Sequence, residues 1–213
     1  MASHIRSIVY TPAWEDLQEM VGPLLAHTTS LISLHGEFEW RTFNGWRTVP
    51  MNMSTFRSLA IATGRTLQTL SLELVPQESD ALPRSPEPLF TFSALRDLVW
   101  KTVEVMGFIS DVDVPEDALP ALEKLTYCAP DDSVLILLQR IALPKLHTVY
   151  FPLPQPGAIS FLSRHGVKVT TLKAEDRLGL FGLCPNLSLA MISGFPSFER
   201  RHEMITKMIL TEE

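Results

Sequence analysis

Glycine is scarce in this chain: ten residues against sixteen prolines, and none falls in a Gly-x-Gly-x-x-Gly turn, a Gly-x-Ser-x-Gly elbow or a phosphate loop. The backbone therefore has few places to approach a phosphate closely, and cofactor binding by these routes is not expected. Cysteine is scarcer still. Cys128 and Cys184 stand 56 positions apart, which matches no metal-ligand spacing, so both are expected to be reduced, buried thiols. Charge of either sign is also thin, at 20% of the 213 residues, and the net charge of -6 argues against a general affinity for nucleic-acid backbones. There is no apolar run long enough to span a bilayer, and the opening Met1-Ala2-Ser3-His4-Ile5-Arg6 lacks the cationic and apolar segments of a signal peptide. The expectation is a soluble protein of the cytoplasm or nucleus with no membrane partner.

What the chain does contain is repetition. A phrase of the form apolar-x-x-apolar-x-apolar recurs as Ile5-Ile8-Tyr10, Leu31-Leu34-Gly36, Leu67-Leu70-Leu72, Leu95-Leu98-Trp100, Leu122-Leu125-Tyr127, Leu146-Val149-Phe151, Val169-Leu172-Ala174 and, weakly, Leu187-Ala190-Ile192. Successive phrases begin 26, 36, 28, 27, 24, 23 and 18 residues apart. Most of these steps lie in or near the roughly 20–29 residues of a leucine-rich repeat, one strand plus a helix or tight helical turn. The pattern predicts an α/β fold: a leucine-rich-repeat-like solenoid, residues 1–213 as a single domain, with a mainly parallel curved sheet of about seven strands and short helices on the convex side. Prolines punctuate it, for Leu119-Pro120-Ala121-Leu122, Leu143-Pro144-Lys145-Leu146 and Cys184-Pro185-Asn186-Leu187 repeat one turn phrase.

Between the phrases, Trp14, Leu17, Val21, Leu24 and Leu25 predict an amphipathic helix over 13–26. The long step marks an insertion at 36–53, read as a hairpin from the alternation of Phe38 and Trp40 and the Asn44-Gly45 pair. Ser54 offers an N-cap to a helix ending at Gly64, with Phe56, Leu59, Ala60 and Ala62 inward. Residues 76–90 are rich in proline and read as a loop; 103–119 form a weak segment with one helical turn at Val103 to Phe108. Asp131 or Asp132 caps a further helix, short helices follow at 157–165 and 175–184, and an amphipathic helix at 196–210 caps the C-terminal end.

The stretch Ala62-Thr63-Gly64-Arg65-Thr66-Leu67-Gln68-Thr69-Leu70-Ser71-Leu72, with Phe92-Ser93-Ala94-Leu95, Leu143-Pro144-Lys145-Leu146, Phe161-Leu162-Ser163-Arg164-His165-Gly166 and the closing Cys184-Pro185-Asn186-Leu187, resembles the degenerate leucine-rich-repeat region of fungal F-box proteins over roughly residues 55–192. The resemblance implies a repeat arc that presents a substrate, joined through an F-box to the adaptor of a cullin-type ubiquitin ligase. No leucine- and proline-rich F-box cluster precedes the first phrase, so the resemblance implies a recognition half whose F-box lies elsewhere or has been lost. A stand-alone scaffold is the alternative, and an enzyme with an unrecognised site a third.

Candidate chemistry is sparse. His202-Glu203 opens like a zinc-protease motif, but Thr206 stands where the second histidine would be. His165 is expected to end a helix, with its imidazole at the negative end of the dipole. The run Asp111, Asp113, Glu116, Asp117 lacks the glycine and distal glutamate of a calcium loop. No catalytic residue, metal or cofactor is expected. Successive strand side chains take opposite faces, so the residues between the apolar positions line the concave face: Ser33, His35, Glu37; Thr69, Ser71, Glu73; Asp97, Val99, Lys101; Lys124, Thr126, Cys128; Thr148, Tyr150; Thr171, Lys173. The expected binding site is Lys101, Lys124, Thr126, Tyr150 and Lys173, a basic stripe with one aromatic anchor suited to an acidic or phosphorylated protein segment. The aromatics Phe38, Trp40 and Trp46 of the insertion are the competing surface.

Overall fold

A computed structural model of the chain describes residues 5–10, 28–36, 49–75, 85–102, 104–106, 108, 111–174 and 179–192. The helix expected over 13–26, the body of the insertion at 37–48, the loop at 76–84, residues 175–178 and the terminal helix at 196–210 lie outside them. The apolar phrases become strands: β1 (Ser7–Tyr10), β2 (Ser33–Gly36), β4 (Thr69–Leu74), β5 (Asp97–Thr102), β6 (Lys124–Cys128), β7 (Thr148–Phe151), β8 (Thr171–Ala174) and β9 (Leu189–Ile192). They lie side by side in that order, and every pairing is parallel. A ninth strand, β3 (Val49–Met51), pairs in parallel with the second half of β4 while β2 pairs with the first half. The end of the 36–53 insertion thus returns to the sheet. Pro50 fits in β3 because among the described residues the strand is paired on one side, where a missing N–H costs no ladder bond.

Register makes the phrases coincide in space. Leu34, Leu70, Leu98, Leu125, Val149 and Leu172 form one inward row, each 0–1% exposed. Leu72, Trp100 and Tyr127 form the next, each fully buried. The outer phrases are looser: Ile5, Ile8, Leu187 and Ala190 are only half-buried, and among the described residues β1 and β9 each pair with one strand.

The five strands β5 to β9 are entered in the same way. A tight turn carries a hydrogen bond from Leu95 N to Phe92 O, Leu122 N to Leu119 O, Leu146 N to Leu143 O, Val169 N to Gly166 O and Leu187 N to Cys184 O. Proline is at its preferred second position in three of these turns. Leu119 and Leu143 precede their prolines at φ 53° and 44°, in the left-handed region that leucine avoids at a cost of about 1–3 kcal/mol. Both side chains are fully buried, and burying a leucine contributes roughly 1.5–3 kcal/mol, which offsets the backbone strain and explains why glycine is not used there. The chain then passes a carbonyl that accepts two N–H groups from the next unit. Arg6, Ile32, Gln68, Arg96, Glu123, His147 and Thr170 all do so, at 2.7–3.1 Å.

The helices pack on the inward face. In α1 (Met53–Thr63), Phe56, Leu59, Ala60 and Thr63 are buried, and Phe56 meets Trp100 edge-on at 5.7 Å. Asn52, not Ser54, caps it: Asn52 Oδ1 accepts from Thr55 N and from Ser54 Oγ, both at 2.8 Å, because the helix begins at Met53, one residue before Ser54. Ala62 is half-buried and Thr63 takes its inward place. A 3₁₀ helix at Glu87–Thr91 ends the proline-rich stretch, and residues 104–106 carry no helical turn. Helix α2 (Ser133–Arg140) contributes Val134, Leu135 and Leu138 to the core, and Phe161 of α3 (Ala158–His165) packs edge-on to Phe151 at 6.1 Å. Two aspartates tie three units together. Asp131 Oδ2 accepts from Met106 N at 3.1 Å in the preceding unit, and Asp132 Oδ2 accepts from Gly157 N at 2.8 Å in the following one. Both cysteines are buried free thiols. No helix among the described residues is long and apolar enough to cross a membrane.

Candidate functional site

Side chains between the inward positions point to the opposite face, on which none of the three described α-helices packs. An all-parallel sheet ordinarily has helices on both faces. Here the outward row is polar and mostly half-buried, with Ser71 and Cys128 buried.

The register decides which predicted residues meet. Thr126, Tyr150 and Lys173 stand opposite one another on β6, β7 and β8, on strands about 4.8 Å apart. Lys173 Nζ lies 4.4 Å from the centre of the Tyr150 ring, a cation–π contact of roughly 0.5–2 kcal/mol. Lys124 is two residues nearer the strand starts, exposed, between Asp97 and Thr148 in register. Burial pushes the Asp97 carboxyl above its ordinary value and the Lys124 ammonium partly holds it down. Lys101 is separate from this group. It stands opposite Cys128 on one side and Glu73 on the other, and its Nζ meets Glu73 Oε2 at 2.7 Å. Burial raises the Cys128 thiol, Lys101 partly reverses this, and Glu73 adds to it.

The predicted basic stripe therefore divides. Lys101 is neutralised within the sheet, Lys124 faces an acid across the strand pair, and Lys173, with no carboxylate partner among the described residues, lies on the aromatic ring. Sequence reasoning missed the neighbours on the far side: Leu189 and Met191 of β9 stand opposite Thr171 and Lys173 and are 48% and 39% exposed. The signal was present in the last phrase, whose outward positions are these two residues. The resulting patch has a tyrosine ring and a lysine at its centre, threonines on one side and two exposed apolar side chains on the other.

His165 is the last residue of α3, as expected, but its imidazole is turned into the core. It is fully buried, its ring 4.8 Å from that of Phe161 and tilted 51° to it, with Nε2 3.3 Å from Leu138 O in the last turn of α2. A carbonyl only accepts, so Nε2 carries the hydrogen and Nδ1 is bare, without a partner among the described residues. Burial, aided by Lys168 and Arg164, lowers its pKa to about 4, so the ring is neutral at pH 7. Among the described residues no three His, Cys, Asp or Glu side chains form a metal-ligating group. The aromatics Phe38, Trp40 and Trp46 lie outside the described residues. Comparison with protein families, with curated proteins and with solved structures finds no match.

Proposed function

We propose that this chain is a protein-interaction module of the leucine-rich-repeat kind, a solenoid whose outward sheet face is concave and holds an acidic or phosphorylated segment of a partner protein. The observation that carries the reading is the all-parallel sheet with its described helices on one face only and a row of polar, half-buried side chains on the other. A stack of strand-plus-turn units leaves such a face open, and extended binding surfaces of this type are what repeat proteins use. Within the face, Tyr150 and Lys173 form the centre, with Thr126 and Lys124 beside them and Lys101 at the margin. Aromatic residues are frequent interface anchors, and the Lys173 ammonium supplies the charge for a carboxylate or phosphate. The reading assigns no catalytic step, cofactor, membrane or nucleic acid to the chain.

On the resemblance to fungal F-box proteins, the partner segment would be the substrate of a cullin-type ubiquitin ligase in the cytoplasm or nucleus. A plain scaffold is the alternative. Affinity purification of the tagged chain from fungal cells, with quantitative mass spectrometry, tests both levels. The expected result is a discrete set of proteins that includes the ligase adaptor, with the face-bound members reduced about tenfold by Tyr150→Ala/Lys173→Glu. Retention of the whole set by that variant refutes the face; a face-dependent set without the adaptor refutes the ligase role and leaves the scaffold.

A further inference from the structure

A second surface lies on the opposite side of the sheet. Arg57, Ile61 and Arg65 are spaced four apart along α1 and its continuation, for Gly64 is still in the right-handed helical region at φ −54° and ψ −24°. All three are exposed, Ile61 at 87%. At a rise of about 1.5 Å per residue the two arginines are about 12 Å apart along the helix, with the isoleucine midway. They form one wall of a cleft of about 730 Å³ whose far wall is the 3₁₀ segment with Ser85, Glu87, Pro88 and Thr91.

The base of this cleft is closely packed. A Cβ on Gly64 would meet Ala60 O at 2.7 Å and Thr91 O at 3.0 Å, so helix and 3₁₀ segment are in direct backbone contact. Two wall hydroxyls are occupied: Thr66 Oγ1 donates to Leu31 O at 2.9 Å and Thr91 Oγ1 to Pro88 O at 2.8 Å. The guanidinium groups are not, since neither Arg57 nor Arg65 has an ion-pair partner among the described residues. Among the described lining residues, two arginines stand against one carboxylate, Glu87, a positive balance on a chain of net charge -6.

We infer that this cleft docks an acidic segment of a partner protein, one in which two carboxylates about 12 Å apart flank an apolar side chain set against Ile61. Such a spacing is four residues in an extended peptide at about 3.3 Å each. A small molecule is the poorer occupant, because small-ligand sites enclose about 70–90% of the ligand surface and a wall residue this exposed encloses little. Charge and an exposed isoleucine thus select a chain that lies along the groove. The surface is independent of the Tyr150–Lys173 face, so the molecule can hold two segments at once.

The probe is a random-peptide phage library selected on the full chain. Peptides with two acidic residues flanking an apolar one are expected to be enriched, and their binding to fall about tenfold or more on Arg57→Gln/Arg65→Gln and on Ile61→Asp. Tyr150→Ala/Lys173→Glu should leave this binding unchanged, which separates the cleft from the outward face. The Arg57, Ile61 and Arg65 side chains are exposed, so the melting temperatures of their variants should match the parent and exclude misfolding. Failure of every selected peptide to bind Tyr150→Ala/Lys173→Glu, absence of acidic enrichment among those that do, or their equal binding to the double-glutamine variant would each overturn the inference.

Discussion

Adding one methyl group at Gly166 tests the close approach of the segments that lead into β8 and β9. The backbone there is at φ −57° and ψ −31°, which any residue adopts, so alanine should stabilise by about 0.4–1 kcal/mol if conformational freedom alone mattered. Space decides otherwise. An alanine Cβ would lie 2.0 Å from Leu183 O and 2.9 Å from its carbonyl carbon, with Cys184 Sγ at 3.4 Å. Carbon and carbonyl oxygen rest at about 3.3 Å or more, so one backbone must retreat by about 1.3 Å. The obstacle is main chain and has no rotamer to yield, and Leu183 leads into the turn at buried Cys184 that aligns β9. Overpacking costs about 1–3 kcal/mol, and the upper part of that range applies, giving a net loss of about 2 kcal/mol and about 4–8 °C in Tm for a chain of this size. The internal control is Gly182→Ala, the same chemical change at a position where a Cβ meets nothing within 4 Å. Differential scanning calorimetry of the two variants should show a large drop for the first and none for the second. A Gly166→Ala variant that melts within a degree of the parent, or a Gly182→Ala variant that falls as far, would refute the steric argument.

His165 predicts a pH dependence. Its pKa in the fold is lowered to about 4, whereas the unfolded chain takes up the proton near 6.5, so the unfolded state binds more protons between these values. The stability contributed by the neutral ring is complete above pH 6.5 and is lost as pH falls towards 4, in total about 3 kcal/mol. Urea midpoints measured across that window should fall more steeply for the parent than for His165→Leu; parallel curves would assign the acid lability to other groups. Asp132 and Gly157 should be energetically linked, because Asp132 Oδ2 accepts from Gly157 N and a Cβ on Gly157 would meet Asp132 Cγ at 2.9 Å. Asp132→Ala should lose about 1.5–3 kcal/mol, Gly157→Ala should destabilise the parent, and the second change should cost little in the background of the first. Additive losses in denaturant titrations would show that the two do not act on each other.

How far the sequence disclosed this structure depends on the kind of interaction. Inward rows were legible because a parallel register repeats one phrase at one depth, so Leu70, Leu98 and Leu125 could be aligned before any coordinates. Cross-strand charge was legible in principle and was missed: Glu73 and Lys101 occupy the same phrase position on consecutive strands and therefore meet, which removes Lys101 from the free cations. The return of Val49–Met51 to the sheet was hidden by Pro50, which argues against a strand until β3 is seen to be paired on one side. Helix capping was misplaced by two residues because Asn52 and Ser54 are both good caps, and only the start of the helix chooses between them. His165 ends its helix as its sequence position implies, but the burial that keeps its ring neutral was not legible, because burial is not a property of its neighbours in sequence.

The seven doubly accepting carbonyls separate the register of the sheet from the length of chain between strands. Each fixes where the next strand begins, whether the intervening path takes 18 residues or 36. Returning segments can therefore gain or lose residues in evolution while the outward side chains stay in line. A recognition row on that face can be rewritten one strand at a time, by single substitutions at positions that no inward contact constrains.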